Sequence, residues 1–168
     1  TETETETETE TETETEAENE TETETETETE TETGTETEPS EPAELGESAS
    51  PRERRDRLDE LVSSGNFFRG RAQWDRARRS YEAALRMAPR NGPALAGLAK
   101  VALAQRRAPE AVRLSRTLVE VNARTAGNHV LLGDALSAAG DRAGARQAWE
   151  QALRVNPRHS TARARLGR

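Results

Sequence analysis

Two patterns divide the chain. Residues 1 to 38 alternate Thr and Glu, interrupted only by Ala17, Asn19 and Gly34, and no apolar residue longer than alanine occurs before Leu45. From Pro51 onward apolar residues recur at the three- and four-residue spacing of helices. The runs are 13 to 18 residues long, with breaks at Gly70, Gly92-Pro93, Gly140-Asp141 and Pro157. Ser50-Pro51-Arg52-Glu53 marks where order starts. Ser50 can cap, Pro51 suits the first helical position, and Glu53 completes an S-x-x-E box. The chain therefore reads as a 1–38 low-complexity tail, a 39–50 Pro/Ser linker and an all-α body over 51–168.

The alternation of the tail argues against packed structure. In an extended chain its charges stand about 6 to 7 Å apart, inside a Debye length of about 8 Å at physiological salt, so they repel and stretch the chain. A helix would set Glu against Glu at i,i+4 on a background of Thr, a poor helix former. A strand would place every Glu on one face and oppose like charges across any pairing. With nothing apolar to bury, the ordering entropy has no offset, and the tail is expected to be disordered. Three readings of it stay open: a solubilising spacer, an acidic arm that docks on a basic surface, and a phosphorylation platform, since many of its Thr residues have Glu at +1 and +3.

Within the body a shift of 34 residues aligns Ala77, Ala111 and Ala145, Leu98 with Leu132, Gly65 with Gly133, Tyr81 with Trp149, Ala84 with Ala152, and Pro89 with Pro157. These residues resemble the tetratricopeptide repeat (TPR) family, whose pattern is W-x2-L-G-x2-Y in a first helix and A-x3-F…A…P in a second. Three repeats result, at 58–91, 92–125 and 126–159, and 160–168 reads as a cap or the start of a fourth, with Leu166-Gly167 in register with Leu132-Gly133. The middle repeat departs most, with Ser115, Leu118 and Ala123 where an aromatic, Ala and Pro are expected. The resemblance implies a right-handed superhelical α-solenoid. Small residues at 65, 99 and 133 and alanines at 77, 111 and 145 would let paired helices approach, and Tyr81 and Trp149 would fill the gap towards the next repeat.

It also implies that the first helix of each repeat lines a concave groove for a peptide or helix. By alignment the candidate groove residues are Asp59, Val62, Ser63, Asn66 and Arg69, then Ala96, Gly97, Lys100 and Leu103, then Val130, Leu131, Asp134 and Ser137. Family members that hold the acidic C-termini of chaperones use Lys, Asn, Asn, Lys and Arg. Here those positions hold Val62, Asn66, Gly97, Gly127 and Leu131, so the clamp is not expected. The expected partner is an unknown protein or peptide.

Composition adds one contrast. The stated net charge of −8 hides a tail of −21 and a body of +13. Every basic residue except Lys100 is arginine, which reads as the codon bias of a GC-rich bacterial genome. The body's arginines read as a solvated convex face; the alternative is a surface for polyanions, for nucleic acid or for the chain's own acidic tail. Nucleic acid is disfavoured because no aromatic interleaving and no nucleic-acid motif accompanies the charge. Trp74, Tyr81, Trp149, Phe67 and Phe68 lie at helical spacing and read as core.

No catalytic, cofactor or metal residue is assigned. Cysteine is absent, His129 and His159 lie without clustered carboxylates, and no Walker loop, dinucleotide fingerprint or nucleophile elbow occurs. No apolar run approaches the roughly 18 residues of a membrane span, and a cytoplasmic location is the expectation. Because Thr1 opens the chain, a fragment of a longer protein is expected.

Overall fold

The computed structural model describes residues 49 to 167; the tail and most of the linker lie outside the described residues. Among these the regular structure is all helical: α1 (Pro51–Gly70), α2 (Trp74–Met87), α3 (Gly92–Ala104), α4 (Ala108–Val121), α5 (Ala126–Ala138), α6 (Arg142–Val155) and α7 (Ser160–Arg165). They form three helical hairpins, α1/α2, α3/α4 and α5/α6, with α7 packed on α6. No described helix is long and apolar enough to cross a membrane.

The helix starts follow local chemistry. Glu53 N donates to Ser50 Oγ at 3.3 Å while Ser50 N donates to Glu53 Oε2 at 2.6 Å, a reciprocal capping box ahead of Pro51. Asn91 caps α3 through the Ala94 amide at 2.8 Å, and Asp141 caps α6 through Gly144 at 2.8 Å. The expected break at Gly92-Pro93 is displaced: both residues sit inside the first turn of α3, where Pro needs no donor, and the chain turns just before them.

The turn inside each hairpin is one backbone device used three times. The amides of Gln73, Arg107 and Asp141 donate to the carbonyls of Phe68, Ala102 and Leu136, and those of Ala72, Arg106 and Gly140 to Arg69, Leu103 and Ser137. These paired bonds make a Schellman motif, which requires a left-handed residue. Ala72 (φ 56°), Arg106 (φ 59°) and Gly140 (φ 86°) occupy it, each 34 residues from the next. Only the third is glycine. The expected break at Gly70 thus falls on the last residue of α1, two before the left-handed Ala72, and no glycine marks the second turn at Arg106.

Packing follows the same register. Ala77, Ala111 and Ala145 are almost fully buried, as are Ala84 and Ala152. Tyr81 has no exposed surface, and its ring is wedged between two helices: a methyl on Gly65 of α1 would stand 2.5 to 2.8 Å from three of its ring atoms, and one on Gly97 of α3 would overlap the ring as well. Trp149 stands over Gly133 in the same way but stays half-buried. The middle repeat solves the space differently. Ser115 is fully buried where the others have rings, and the register sets Ala99 and Leu131 where Gly65 and Gly97 make room for Tyr81. Small residue and large residue have exchanged sides. Of the other aromatics expected in the core, Phe68 is buried, whereas Phe67 and Trp74 are half-buried and the Arg71 guanidinium lies 3.8 Å from the Phe67 ring centre.

Candidate functional site: the inner helix face

Helix α3 has neighbours on four sides. It touches α1 and α5 to left and right and α2 and α4 behind, which leaves one open stripe of Pro93, Ala96, Lys100, Leu103 and Ala104. The first helices of successive hairpins thus touch one another, whereas each second helix meets the first helix of the next hairpin. The first helices form the closer-set of the two layers.

The stripe continues across its neighbours. On α1 Asp59 and Asn66 are exposed while Val62 and Arg69 are half-buried; on α5 Gly127 and Ser137 are exposed and Asp134 is half-buried. Four of the expected groove residues contribute little or nothing to this surface. Val130 (7 % exposed) packs with Ala126, Ala152 and Ala162, and Leu131 (8 %) belongs to the core of the first two hairpins. Gly97 is covered by the Tyr81 ring, and Ser63 faces solvent outside the α1 stripe. Half-buried Val62, Ala96 and Leu103 supply the apolar part of this stripe.

Three polar residues, Asn66, Lys100 and Asp134, take equivalent positions one repeat apart. Asn66 Oδ1 accepts from Tyr81 Oη at 2.9 Å, and Arg69 Nε lies 3.4 Å from the same hydroxyl. Burial raises the Tyr81 phenol above its usual value, against the opposing pull of Arg69. Asp134 repeats the arrangement and exceeds it: Trp149 Nε1 donates at 3.2 Å, and Arg165 of α7 donates from Nε at 2.9 Å and from Nη2 at 3.3 Å. The Asp134 carboxylate raises the Arg165 guanidinium further above its ordinary value. Lys100 differs. Its counterpart on α4 is Ser115, too short to reach it, and among the described residues it has no hydrogen-bond or ion-pair partner.

Elsewhere on the body some of the arginines are paired. Arg78 of α2 holds Glu110 of α4 with two bonds of 2.9 and 2.8 Å and also reaches Glu82 at 3.1 Å. The Arg78 hydrogen bonds are the first cause that lowers Glu110 below the usual carboxylate range. Arg57 pairs with Glu60 and Arg146 with Glu150 along their own helices. The histidines have structural places: His129 Nε2 lies 2.8 Å from the Ala123 carbonyl, and His159 Nδ1 accepts from Ala162 N as the cap of α7. No group of His, Cys, Asp or Glu suited to a metal occurs among the described residues.

Two sequence profiles of the tetratricopeptide repeat match, over residues 69–127 and 130–168. No curated protein matches significantly. Solved structures similar to the chain include the second TPR domain of human RPAP3 in complex with an HSP70 peptide, at 19 % identity and a TM-score of 0.65, covering 68 % of this chain and 95 % of that one. The Sgt2 TPR domain of Aspergillus fumigatus is 23 % identical with a TM-score of 0.63, over 70 % and 76 %. An O-GlcNAc transferase of Thermobaculum terrenum is 22 % identical with a TM-score of 0.65, but the match spans 69 % of this chain and only 22 % of the enzyme. At these identities the likeness is one of fold.

Proposed function

The chain belongs to the tetratricopeptide repeat family, and on that premise we propose that it is a non-catalytic scaffold whose inner helix face receives a peptide or helix of another protein. The carrying observation is the open stripe of α3, flanked by exposed Asp59 and Asn66 of α1 and by Gly127 and Ser137 of α5, in which half-buried Val62, Ala96 and Leu103 lie beside polar groups held at a repeat spacing. Such a surface offers apolar area for affinity and fixed polar groups for register. The match to the O-GlcNAc transferase covers 22 % of that chain, and no reaction is carried over from it.

The partner is proposed to be something other than a chaperone C-terminus. The HSP70-peptide complex of RPAP3 stands against this reading, yet of the five clamp positions here Gly97 lies beneath Tyr81, Leu131 is core, and Val62 and Gly127 carry no charge. A polyanion surface is the second reading; Arg57, Arg78, Arg146 and Arg165 hold carboxylates of the same body, which leaves it exposed arginines such as Arg86, Arg116 and Arg154.

The test is selection of binders from a random peptide library on the full chain, followed by the exchange Leu103→Asp. Loss of binding in the variant, with unchanged circular dichroism, is expected. Selected peptides that bind both proteins equally would remove the groove from the proposal, and tight binding of SGPTIEEVD would restore the chaperone reading.

A further inference from the structure

Of the three equivalent polar positions on this face, two engage a ring behind them, although Asn66 itself stays exposed. The Asn66 carbonyl is occupied by Tyr81, and Asp134 is occupied by Trp149 and neutralised by Arg165. The ring that would engage the third is missing, because the middle repeat carries Ser115 there. Lys100 is therefore exposed at the centre of the open stripe, between the apolar surfaces of Ala96 and Leu103, with no internal partner among the described residues. It is also the chain's only lysine. A lysine presents a compact, rotatable charge on a flexible stem, suited to meeting one carboxylate rather than gripping a planar group bidentately.

We infer that Lys100 is the specificity-determining residue of the groove and reads a single side-chain carboxylate, flanked by small apolar residues, on an acidic segment of the partner. The inference rests on the groove reading above and deepens it. Charge complementarity selects the occupant. The middle of the stripe has one uncompensated positive charge with Arg69 on the neighbouring helix, its flanking carboxylate Asp134 is already paired, and Asp59 stands about two helical turns from Asn66, the counterpart of Lys100 on α1. A basic segment would meet Lys100 with like charge, and a purely apolar one would have to desolvate it without a partner.

The probe is the blocked peptide Ac-(Glu-Ala-Leu-Ala)3-NH2, with Ac-(Gln-Ala-Leu-Ala)3-NH2 as its neutral counterpart. Titrations are followed by 15N chemical shifts of the full chain at 20 mM salt. The Glu peptide is expected to move α1, α3 and α5 resonances and to bind about three- to tenfold more tightly than the Gln peptide, a preference that shrinks towards nothing at 1 M salt. Lys100→Gln should erase the preference, Lys100→Arg should keep most of it, and Lys100→Glu should reverse it. Because only one side chain bears an amine, carbodiimide coupling mapped by mass spectrometry should join the Glu peptide to Lys100. Equal affinities for the two peptides with shifts on α1, α3 and α5 would overturn the role of Lys100 and leave the groove standing. Shifts confined to α2, α4 and α6 would overturn the groove itself. No binding of either peptide at millimolar concentration would overturn the acidic-segment assignment.

Discussion

Gly97→Ala tests the wedge of Tyr81 most directly. Two effects oppose each other. Alanine in a helix interior gains about 1 kcal/mol over glycine, and α3 is otherwise well formed. Against this, the new methyl would overlap the Tyr81 ring, which is fully buried, hydrogen-bonded to Asn66 and closed off behind by Gly65. A rigid ring with no free side has nowhere to go, and overpacking of a tight core costs about 1 to 3 kcal/mol. The overlap is severe, so the upper part of that range applies and the net loss is about 1 to 2 kcal/mol. For a body of this size that lowers the melting temperature by roughly 3 to 10 °C. Urea and thermal melts followed by circular dichroism measure it. The control is Gly70→Ala, where a new methyl meets nothing within 4 Å and no loss is expected. The decisive comparison is the Tyr81→Leu background. There a smaller, flexible side chain leaves room, and Gly97→Ala should become neutral or stabilising. If Gly97→Ala stabilises the wild type, or if its effect is the same in both backgrounds, the ring is not wedged and the packing argument fails.

Trp149→Ala should cost roughly 2 kcal/mol, below the 3 to 5 expected of a fully buried aromatic, because Trp149 is half-buried; a loss as large as that of Tyr81→Ala in a parallel urea series would contradict this. Arg106→Gly should raise stability by about 0.5 to 1 kcal/mol, since the left-handed strain relieved slightly exceeds glycine's added chain entropy; a lower urea midpoint would refute it. Glu110 titrates lower when folded than unfolded, held first by the Arg78 hydrogen bonds, so its contribution is present above the ordinary carboxylate range and lost as pH falls through the folded value. Stability measured from pH 6 to pH 3 should thus fall less steeply in Glu110→Gln than in wild type, and parallel curves would exclude the pair from the acid response.

The repeat was legible because its determinants are local and steric. Ala77, Ala111 and Ala145 mark the register by themselves, as do Gly65 and Gly133 beneath their rings. The turns were less legible. A Schellman motif is closed by main-chain bonds alone, so Ala72 and Arg106 can hold the left-handed position without advertising it. The open stripe on the first helices was readable in outline but not residue by residue. Helical phase places Val130 and Leu131 near the inner face, yet their burial depends on which neighbour lacks a ring: Leu131 is core in the register that sets it opposite Ser115. Nor could the sequence show that Asp134 is spent on Arg165, a contact 31 residues away.

The Tyr81 wedge makes the repeat boundaries of the sequence differ from the units in which the molecule opens. Tyr81 lies in the first hairpin by sequence but is confined by glycines from the first and the second, so neither α1 nor α3 can move off without exposing the same ring. Stability in a linear array is a sum of neighbour terms, and the opening front halts where a neighbour term is large. Amide protons of α1, α2 and α3 should therefore exchange with solvent as one group. Those of α5 and α6, joined to the rest through Leu131 and Ala135 rather than through a shared ring, should exchange earlier, and α7 first of all. On this reasoning the three hairpins are expected to open as two cooperative units, which native-state hydrogen exchange reads directly.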